Sequence, residues 1–258
     1  MHKLFSLLLF VGLGLNSLVA KEVDIKPFEK LKMFSDGRLT LERVYEHESI
    51  YQIRFSAKTQ QGKREFGAYI TKDKKMLIVG DGIDLVENKP IRMPLEIDKV
   101  IKNADFVYGT GKTKLIVITD PECFYCQAFQ QRWPKLKDKY TFYTYLYPLN
   151  HHQDATAMSY YVMSQKSDAL KAEALIQIAV DASGDRMKMQ AIKAGKKGLK
   201  FAKKAYERAT FSEKQQAKFQ KKLEDNLIFG DRFSKRGTTP AVYDMNGDFV
   251  IWSMLGGK

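Results

Sequence analysis

Short runs of alternating polar and apolar residues fill the chain after residue 20. Four of them, 38–45, 50–58, 64–71 and 75–79, have the period of two that is typical of strands with one buried face. Turn-forming residues such as Asp36-Gly37, Gln61-Gly62 and Gly80-Asp81-Gly82 separate these runs. The pattern predicts an antiparallel sheet domain over residues 21–89. Because so thin a domain buries little on both faces, we expect two copies of the chain to pair through it.

A short helix is predicted between this domain and the rest of the chain. Pro90 and Pro94 interrupt the strand pattern, and the apolar residues that follow have helical spacing up to about Asn103. We interpret residues 90–104 as a linker helix.

The remaining residues, 105–258, predict a domain of strands and helices, so the whole chain is expected to be of the α+β class. Phe106–Tyr108 and 141–146 have strand patterns, and 114–119 is a continuous apolar run typical of a buried central strand. Helical spacing dominates a long stretch from about Gln153 to Ile228, which we describe as a helical insertion at about 151–232. Two further strands, 241–244 and 249–252, are predicted on either side of the Asn246-Gly247 turn.

The first twenty residues have the pattern of a secretory signal. His2 and Lys3 precede an apolar run from Leu4 to Leu15, and a cleavage point is predicted after Ala20. About a dozen apolar residues are too few for the roughly 20 that span a bilayer. We therefore expect an exported protein, with an uncleaved anchor as the alternative because Leu18 is large for its position before the cut.

Composition and charge exclude several classes of protein. With 44% hydrophobic and 28% charged residues, the chain is neither disordered nor wholly embedded in a membrane. Lysine and arginine total 43 against 30 acidic residues. Thirteen of the basic residues lie in 186–222, against two acidic ones, and this stretch could attract acidic clients or anionic lipid. A solvated helical face is the simpler interpretation, and an exported chain with few interspersed aromatic residues is not expected to bind nucleic acid.

Both cysteines of the chain occur together, as Cys123-Phe124-Tyr125-Cys126, where Asp120-Pro121 ends the apolar strand. A helical pattern begins there and is predicted to include Cys126, Phe129 and Trp133. A thiol at the start of a helix faces unpaired backbone N–H groups, which favour its thiolate. Cys123 is therefore the predicted nucleophile, with a lowered pKa, and Cys126 the residue that resolves a mixed disulfide.

Several neighbours of the cysteines modify this expectation. Glu122 opposes thiolate formation unless it points into solvent, and Phe124 and Tyr125 are expected to tune the redox balance. The alternative, an inert stabilising disulfide, would close so small a loop that it constrains the unfolded chain little.

Two other sequence features are candidates for the site. Thr239-Pro240 is either an ordinary trans turn or a cis-proline loop against the cysteines, in which the Thr239 backbone pairs with an extended substrate. We favour the cis loop. His151-His152 has no further ligand at metal-site spacing, so we expect a loop there and no metal.

Taken together, residues 119–126 (TDPECFYC) and 237–242 (GTTPAV) resemble the thioredoxin-fold periplasmic disulfide isomerases of the DsbC/DsbG type. The resemblance implies a C-terminal thioredoxin fold and a V-shaped homodimer joined through the N-terminal domains. It also implies that Cys123 attacks, that Cys126 resolves, and that Thr239 and Pro240 face the substrate. The clients would be unfolded or misoxidised exported proteins, with no cofactor beyond the cysteine pair. A membrane redox partner of the DsbD or DsbB type would maintain the pair.

The sequence departs from that family in three ways. Phe124 replaces a small residue, which shifts the redox poise, and the helical insertion has no cysteine pair. Thioredoxin folds also continue into a last helix, so here the insertion or the linker is expected to cover that face of the sheet. The expected function is a periplasmic, dimeric disulfide isomerase. The alternatives are a dimeric oxidase that introduces disulfides and a holdase chaperone that does not need the thiols.

Overall fold

A computed structural model describes residues 20–59, 62–80, 82–85, 88–91, 94–231 and 238–256. The predicted signal apart from Ala20 lies outside the described residues, as do Gln61, Asp81 and Gly237. The chain divides into two compact units, one up to Met93 and the other from Pro94. This division falls within the predicted linker, and the linker's helix belongs to the second unit.

The first unit is built on an antiparallel sheet in the order β1-β2-β3-β4-β5. Its elements are β1 (Lys21–Val23), α1 (Lys26–Glu29), α2 (Lys32–Ser35), β2 (Leu39–Glu46), β3 (Ile50–Thr59), β4 (Gly62–Thr71), β5 (Leu77–Val79), and a separate hairpin of β6 (Gly82–Asp84) and β7 (Lys89–Ile91). Phe28 of α1 and Phe34 of α2 pack with Val44 and Ile53 on one face of the sheet. The four predicted strands are present, whereas β1, both short helices and the hairpin were not predicted because three or four residues show no periodicity.

The second unit contains a four-stranded sheet in the order β11-β9-β10-β8, in which only the β9–β10 pair is parallel. Its elements are α3 (Ile97–Asn103), β8 (Phe106–Tyr108), β9 (Thr113–Thr119), α4 (Phe124–Gln130), α5 (Trp133–Leu136), β10 (Tyr140–Leu146), α6 (Ala155–Met163), α7 (Asp168–Lys193), α8 (Ala205–Arg208), α9 (Glu213–Asp231) and β11 (Ala241–Asp244). The predicted α+β class, with an N-terminal antiparallel sheet and a C-terminal domain of strands and helices, is confirmed.

Helices cover both faces of this sheet, so alternate residues of β9 enter two different cores. Val117 packs with Phe129 and Trp133 on one face. Ile116 and Ile118 pack on the other face against Val100 of α3, with residues of α9 at the edge of that cluster. The sequence left open whether the linker or the insertion covers the face of the sheet on which a last helix would pack. In the structure the linker helix α3 and the insertion helix α9 cover this face together.

Two local predictions were wrong. The helix that begins beside the cysteines ends at Gln130, and Trp133 starts a separate helix because Pro134, in the first turn of α5, cannot continue the hydrogen-bond ladder of α4. Residues 249–252 form no strand: Phe249 makes a single bridge to Tyr243, and Trp252–Met254 is a 3-10 turn. The N–H of Val250 still donates to the Val242 carbonyl of β11, and the carbonyls of Trp252 and Ser253 accept hydrogen bonds from Arg132.

Candidate active site

The two cysteines lie where the central strand β9 passes into helix α4. Cys123 is the N-cap residue of α4, with extended backbone angles, and its carbonyl accepts the first helical hydrogen bond from Gln127. Cys126 lies in the first turn of the helix. Both are unbonded thiols, and Cys123 is 8% exposed and Cys126 completely buried. The structure thus places Cys123 at the helix start, as predicted, with its sulfur closer to solvent than that of Cys126.

The pKa values of the two thiols are moved in opposite directions. A hydrogen bond from the Cys126 thiol lowers the pKa of Cys123 from 9.0 to about 5, although burial opposes the shift. The backbone N–H groups of Cys126 and Tyr125 lower it further. Burial raises the pKa of Cys126 well above 9.0, and the hydrogen bond to Cys123 and its charge add to this. At neutral pH the site therefore holds one thiolate, on Cys123, and one thiol, on Cys126.

Thr239 and Pro240 lie beside the cysteines, although they are far from them in sequence. The Thr239-Pro240 peptide bond is cis, as the sequence predicted. The Thr239 carbonyl lies 3.4 Å from Cys123 Sγ and accepts a hydrogen bond when Cys123 is protonated. The Thr239 hydroxyl is buried, and no nitrogen or oxygen of the described residues pairs with it. It lies close enough to the two sulfur atoms to lower the pKa of both thiols by hydrogen bonding. Pairing of this loop with a substrate remains a prediction.

Phe124 and Tyr125 form the exposed rim of the site. Their side chains are 54% and 62% exposed, and their rings meet edge to face at 5.4 Å between centroids. The guanidinium of Arg186, in α7, lies 4.8 Å from the centroid of Phe124 and donates a 2.7 Å hydrogen bond to Gln127 Oε1. Gln127 in turn donates to the Pro121 carbonyl at 2.9 Å. The helical insertion thus fixes the turn before the cysteines, a contact with no sequence signal because Arg186 is 59 residues away.

Asp120, which the sequence showed only as the end of a strand, organises the turn before Cys123. Its side chain is completely buried. One carboxylate oxygen accepts the N–H groups of Glu122 at 2.7 Å and Cys123 at 3.1 Å. The other oxygen accepts the N–H of Leu149 at 2.6 Å and lies 2.8 Å from Nδ1 of His152. The position of Cys123 therefore depends on a buried carboxylate that the loop after β10 also holds.

The Glu122 side chain does not extend into solvent, and its charge is stabilised by a hydrogen bond from the start of α6. Its side chain is partly buried, and Oε2 accepts the N–H of Asp154 at 2.7 Å. Asp154 is the N-cap residue of α6, where unpaired N–H groups and the positive end of the helix favour an anion. The Glu122 carboxylate is thus stabilised by the start of α6.

Comparison with known proteins shows the family. Residues 102–248, more than half of the chain, match the thioredoxin-like domain. The chain belongs to the thioredoxin-like family. The family-level expectation drawn from the cysteine and proline motifs is therefore confirmed. No curated protein matches the chain.

Solved structures similar to this thioredoxin-like chain share little sequence with it. DsbG of Helicobacter pylori is 10% identical, with 85% of this chain and 98% of that one covered and a TM-score of 0.37. A periplasmic thioredoxin-like protein of Salmonella enterica serovar Typhimurium is 15% identical, with 64% and 94% covered and a TM-score of 0.43. The catalytic domain of Proteus mirabilis ScsC is 16% identical, with 61% and 89% covered and a TM-score of 0.38.

A groove of about 450 Å³ lies on the helical insertion of the thioredoxin-like unit. Its lining combines apolar side chains, among them Met158, Ile178 and Met189, with the charged side chains of Asp185, Arg186 and Lys204. Arg186 connects the groove to the rim of the site, because the same side chain contacts Phe124.

The described residues contain neither a cluster suited to a metal ion nor a helix suited to a membrane. Within the ranges given above, no three His, Cys, Asp or Glu residues are grouped as a metal ion would require. No helix in the described part of the chain is both long and apolar enough to cross a bilayer. The two histidines considered as ligands have ring centroids 4.3 Å apart, and His152 bonds to Asp120 instead.

Proposed function

We propose that this protein is a thiol-disulfide oxidoreductase that acts on misoxidised exported proteins, with disulfide isomerisation as its main reaction. The observation that carries the proposal is the opposite shift of two neighbouring thiols, with the pKa of Cys123 lowered to about 5 and that of Cys126 raised. A nucleophilic thiolate beside a protonated thiol is the arrangement that thiol-disulfide exchange requires.

The reaction begins with the Cys123 thiolate. It attacks one sulfur of a client disulfide, so that a Cys123–client bond forms, the client S–S bond breaks, and the other client sulfur leaves as a thiolate. In isomerisation a different client thiolate then attacks the client sulfur of the mixed disulfide. A new client disulfide forms, Cys123 leaves as a thiolate, and no electrons are gained or lost overall. Its low pKa makes Cys123 a good leaving group in that last step.

Cys126 resolves mixed disulfides that do not rearrange, by releasing the client from Cys123. Part of its raised pKa comes from the hydrogen bond to Cys123 and from the charge there. Because the mixed disulfide has no such charge, we expect the pKa of Cys126 to fall once Cys123 is bonded to a client. Cys126 then loses its proton and attacks Cys123 Sγ, which forms the Cys123–Cys126 disulfide and releases a reduced client. A membrane reductant of the DsbD type would have to restore the dithiol.

A dimeric oxidase is the second candidate, and the same pKa supports it. A thiolate of pKa about 5 stabilises the dithiol form at pH 7 by about 2.7 kcal/mol, or about 60 mV, relative to an unperturbed thiol. This makes the Cys123–Cys126 disulfide more oxidising, as transfer of a disulfide to a client requires. Acid quenching and alkylation of intact cells distinguishes the two: mostly reduced protein supports the isomerase, and mostly oxidised protein the oxidase with a DsbB-type partner.

The direct test of the enzymatic proposal is refolding of a scrambled, disulfide-containing protein in a glutathione buffer. We expect the wild type to restore its activity, Cys123→Ser to be inactive, and Cys126→Ser to accumulate a mixed disulfide visible on non-reducing gels. An active Cys123→Ser variant would refute the proposal. If Cys123→Ser lacks repair activity but still protects a client from aggregation, the protein also has the holdase activity.

We place this activity in the periplasm on the basis of the predicted secretory signal in residues 1–20. An oxidising compartment is where both client disulfides and the Cys123–Cys126 pair persist. Fractionation of cells, with N-terminal sequencing of the mature protein, tests the location and the predicted cleavage after Ala20 together.

A homodimer through the first unit is also proposed. Strand β5 pairs with β4 and with no other strand in the described residues, so one of its edges offers backbone hydrogen bonds to a second copy. Val79, on this strand, is 74% exposed, and Leu85, after the neighbouring β6, is 90% exposed. Apolar side chains beside an open strand edge are suited to burial between copies of the chain.

Sedimentation of substituted proteins tests the dimer. We expect the wild type to sediment as a dimer and Val79→Lys as a monomer, because a charge in the interface is costly to bury. Val180→Lys is the control, since Val180 is an exposed apolar residue of α7 in the other unit. A monomeric wild type, or a dimer unaffected by Val79→Lys, would contradict this assignment.

A further inference from the structure

The pair formed by His152 and Asp120 is not used in the reaction above, although it touches the turn that contains Cys123. Asp120 is completely buried, and its carboxylate joins the N–H of Cys123 on one side to Nδ1 of His152 on the other. His152 itself is partly exposed, with 21% of its side chain accessible. A proton can therefore exchange between solvent and a ring that is bonded to the buried carboxylate.

Electrostatics favours the protonated form of His152. Burial lowers its pKa, but the hydrogen bond to Asp120 and its charge outweigh burial and raise the pKa above the ordinary 6.5. The charges of Glu122 and of the Cys123 thiolate act in the same direction. The ring of His151 also lies close, with its centroid 4.3 Å from that of His152.

The same interaction acts on Cys123. Coupling between two titrating groups is reciprocal, so a thiolate that raises the pKa of His152 has its own pKa lowered by the imidazolium. A carboxylate close to Cys123 would otherwise disfavour the thiolate, and the charge of protonated His152 compensates for it. The bond to His152 also holds the carboxylate in the orientation that accepts the Cys123 N–H.

We propose that His152 is a positioning residue which, as an imidazolium bonded to Asp120, stabilises the Cys123 thiolate and makes its reactivity depend on pH around neutrality. Loss of the His152 proton leaves Asp120 uncompensated beside the thiolate. The affinity of Cys123 for its proton then rises, and its potency as a leaving group falls. This inference rests on the proposed function, because it concerns the reactivity of the same thiol.

The test measures the ionisation of Cys123 directly, by thiolate absorbance at 240 nm as a function of pH. All proteins carry Cys126→Ser, which leaves Cys123 as the only thiol of the chain. We expect His152→Gln to raise the Cys123 pKa by about 1 pH unit, since a nearby opposite charge has been removed. His151→Gln is the matched control: the neighbouring histidine has no bond to Asp120 in the structure, and we expect no shift. Equal pKa values in the two variants would overturn the inference.

A second measurement does not depend on any substitution at His152. In the wild-type protein, NMR titration of the His152 ring is compared before and after Cys123 is blocked with a neutral S-methyl group. We expect the pKa of His152 to fall when the thiolate charge is removed, and an unchanged value would also overturn the inference. Unfolding in urea establishes that each variant is folded. A Cys123 pKa near 9.0 in every protein would instead refute the proposed function itself, so the two failures are distinguishable.

Discussion

The hydrogen bond from Cys126 is the largest cause of the acidity of Cys123, and substitution of Cys126 tests it. Cys126→Ser keeps a donor at this position, whereas Cys126→Ala removes it with little change in volume. A hydrogen bond to a charged group contributes about 1.5 to 3 kcal/mol, and 1.36 kcal/mol corresponds to one pKa unit. The pKa of Cys123, about 5 with the donor, should therefore rise to roughly 6 to 7 in Cys126→Ala.

The assay measures Cys123 alone, because either substitution leaves one thiol in the chain. Absorbance at 240 nm gives the thiolate fraction, and the rate of alkylation by iodoacetamide gives an independent measure. At pH 6 we expect the serine variant to be about 90% thiolate and the alanine variant about 10 to 50%. Identical titrations of the two variants would show that the thiolate depends on the backbone and Thr239 rather than on a hydrogen bond from the side chain at position 126.

Two further predictions concern stability. Gly230→Ala should destabilise the protein by about 1 to 3 kcal/mol in urea unfolding, because a Cβ there would lie 2.4 Å from the Tyr147 ring. Gly184→Ala is the control: open space surrounds Gly184, so the variant should be as stable as the wild type or more stable, and equal stabilities of the two variants would contradict this packing. The reduced protein should also lose the stabilisation that comes from Cys123 as the pH falls from 9 to 5, because the pKa of Cys123 is lower in the folded chain. The difference in unfolding free energy between the wild type and Cys123→Ser should therefore shrink by at most about 1.4 kcal/mol per pH unit, and a difference that does not change with pH would contradict the lowered pKa.

Local patterns predicted much of this molecule correctly. The alternating runs of the first unit became β2 to β5, and the apolar run before the cysteines became the central strand β9. These patterns are readable because every second residue of an exposed strand, or every residue of a central one, enters a core. The pattern failed at residues 249–252, which alternate like a strand but make a single bridge, at Phe249. The carbonyls of Trp252 and Ser253 accept hydrogen bonds from Arg132, which is 120 residues away from Trp252 in the chain.

The contacts around the cysteines could be predicted only in part. The cis-proline loop was expected to lie against the cysteines, first as the favoured of two conformations of Thr239-Pro240 and then through the resemblance to a family. The sequence suggested nothing of the bond from Arg186 to Gln127, or of Asp120 as a link to His152, since no local spacing relates residues 59 and 32 positions apart. Glu122 was expected to oppose the Cys123 thiolate, and the sequence could not show that a backbone N–H at the start of α6 bonds its carboxylate.

Sequence alone determined that two thiols lie three residues apart at the junction of a strand and a helix, because that arrangement depends on neighbouring residues. It also predicted a lowered pKa for Cys123 from its place at the start of the helix, but it could not determine the size of that shift or that the pKa of Cys126 moves upward. The tertiary structure decided this by burying Cys126 completely and by placing Cys123, which is 8% exposed, among hydrogen-bond donors. The physical reason is that ionisation depends on the solvent and charges around a sulfur atom, and only the folded chain assembles those surroundings.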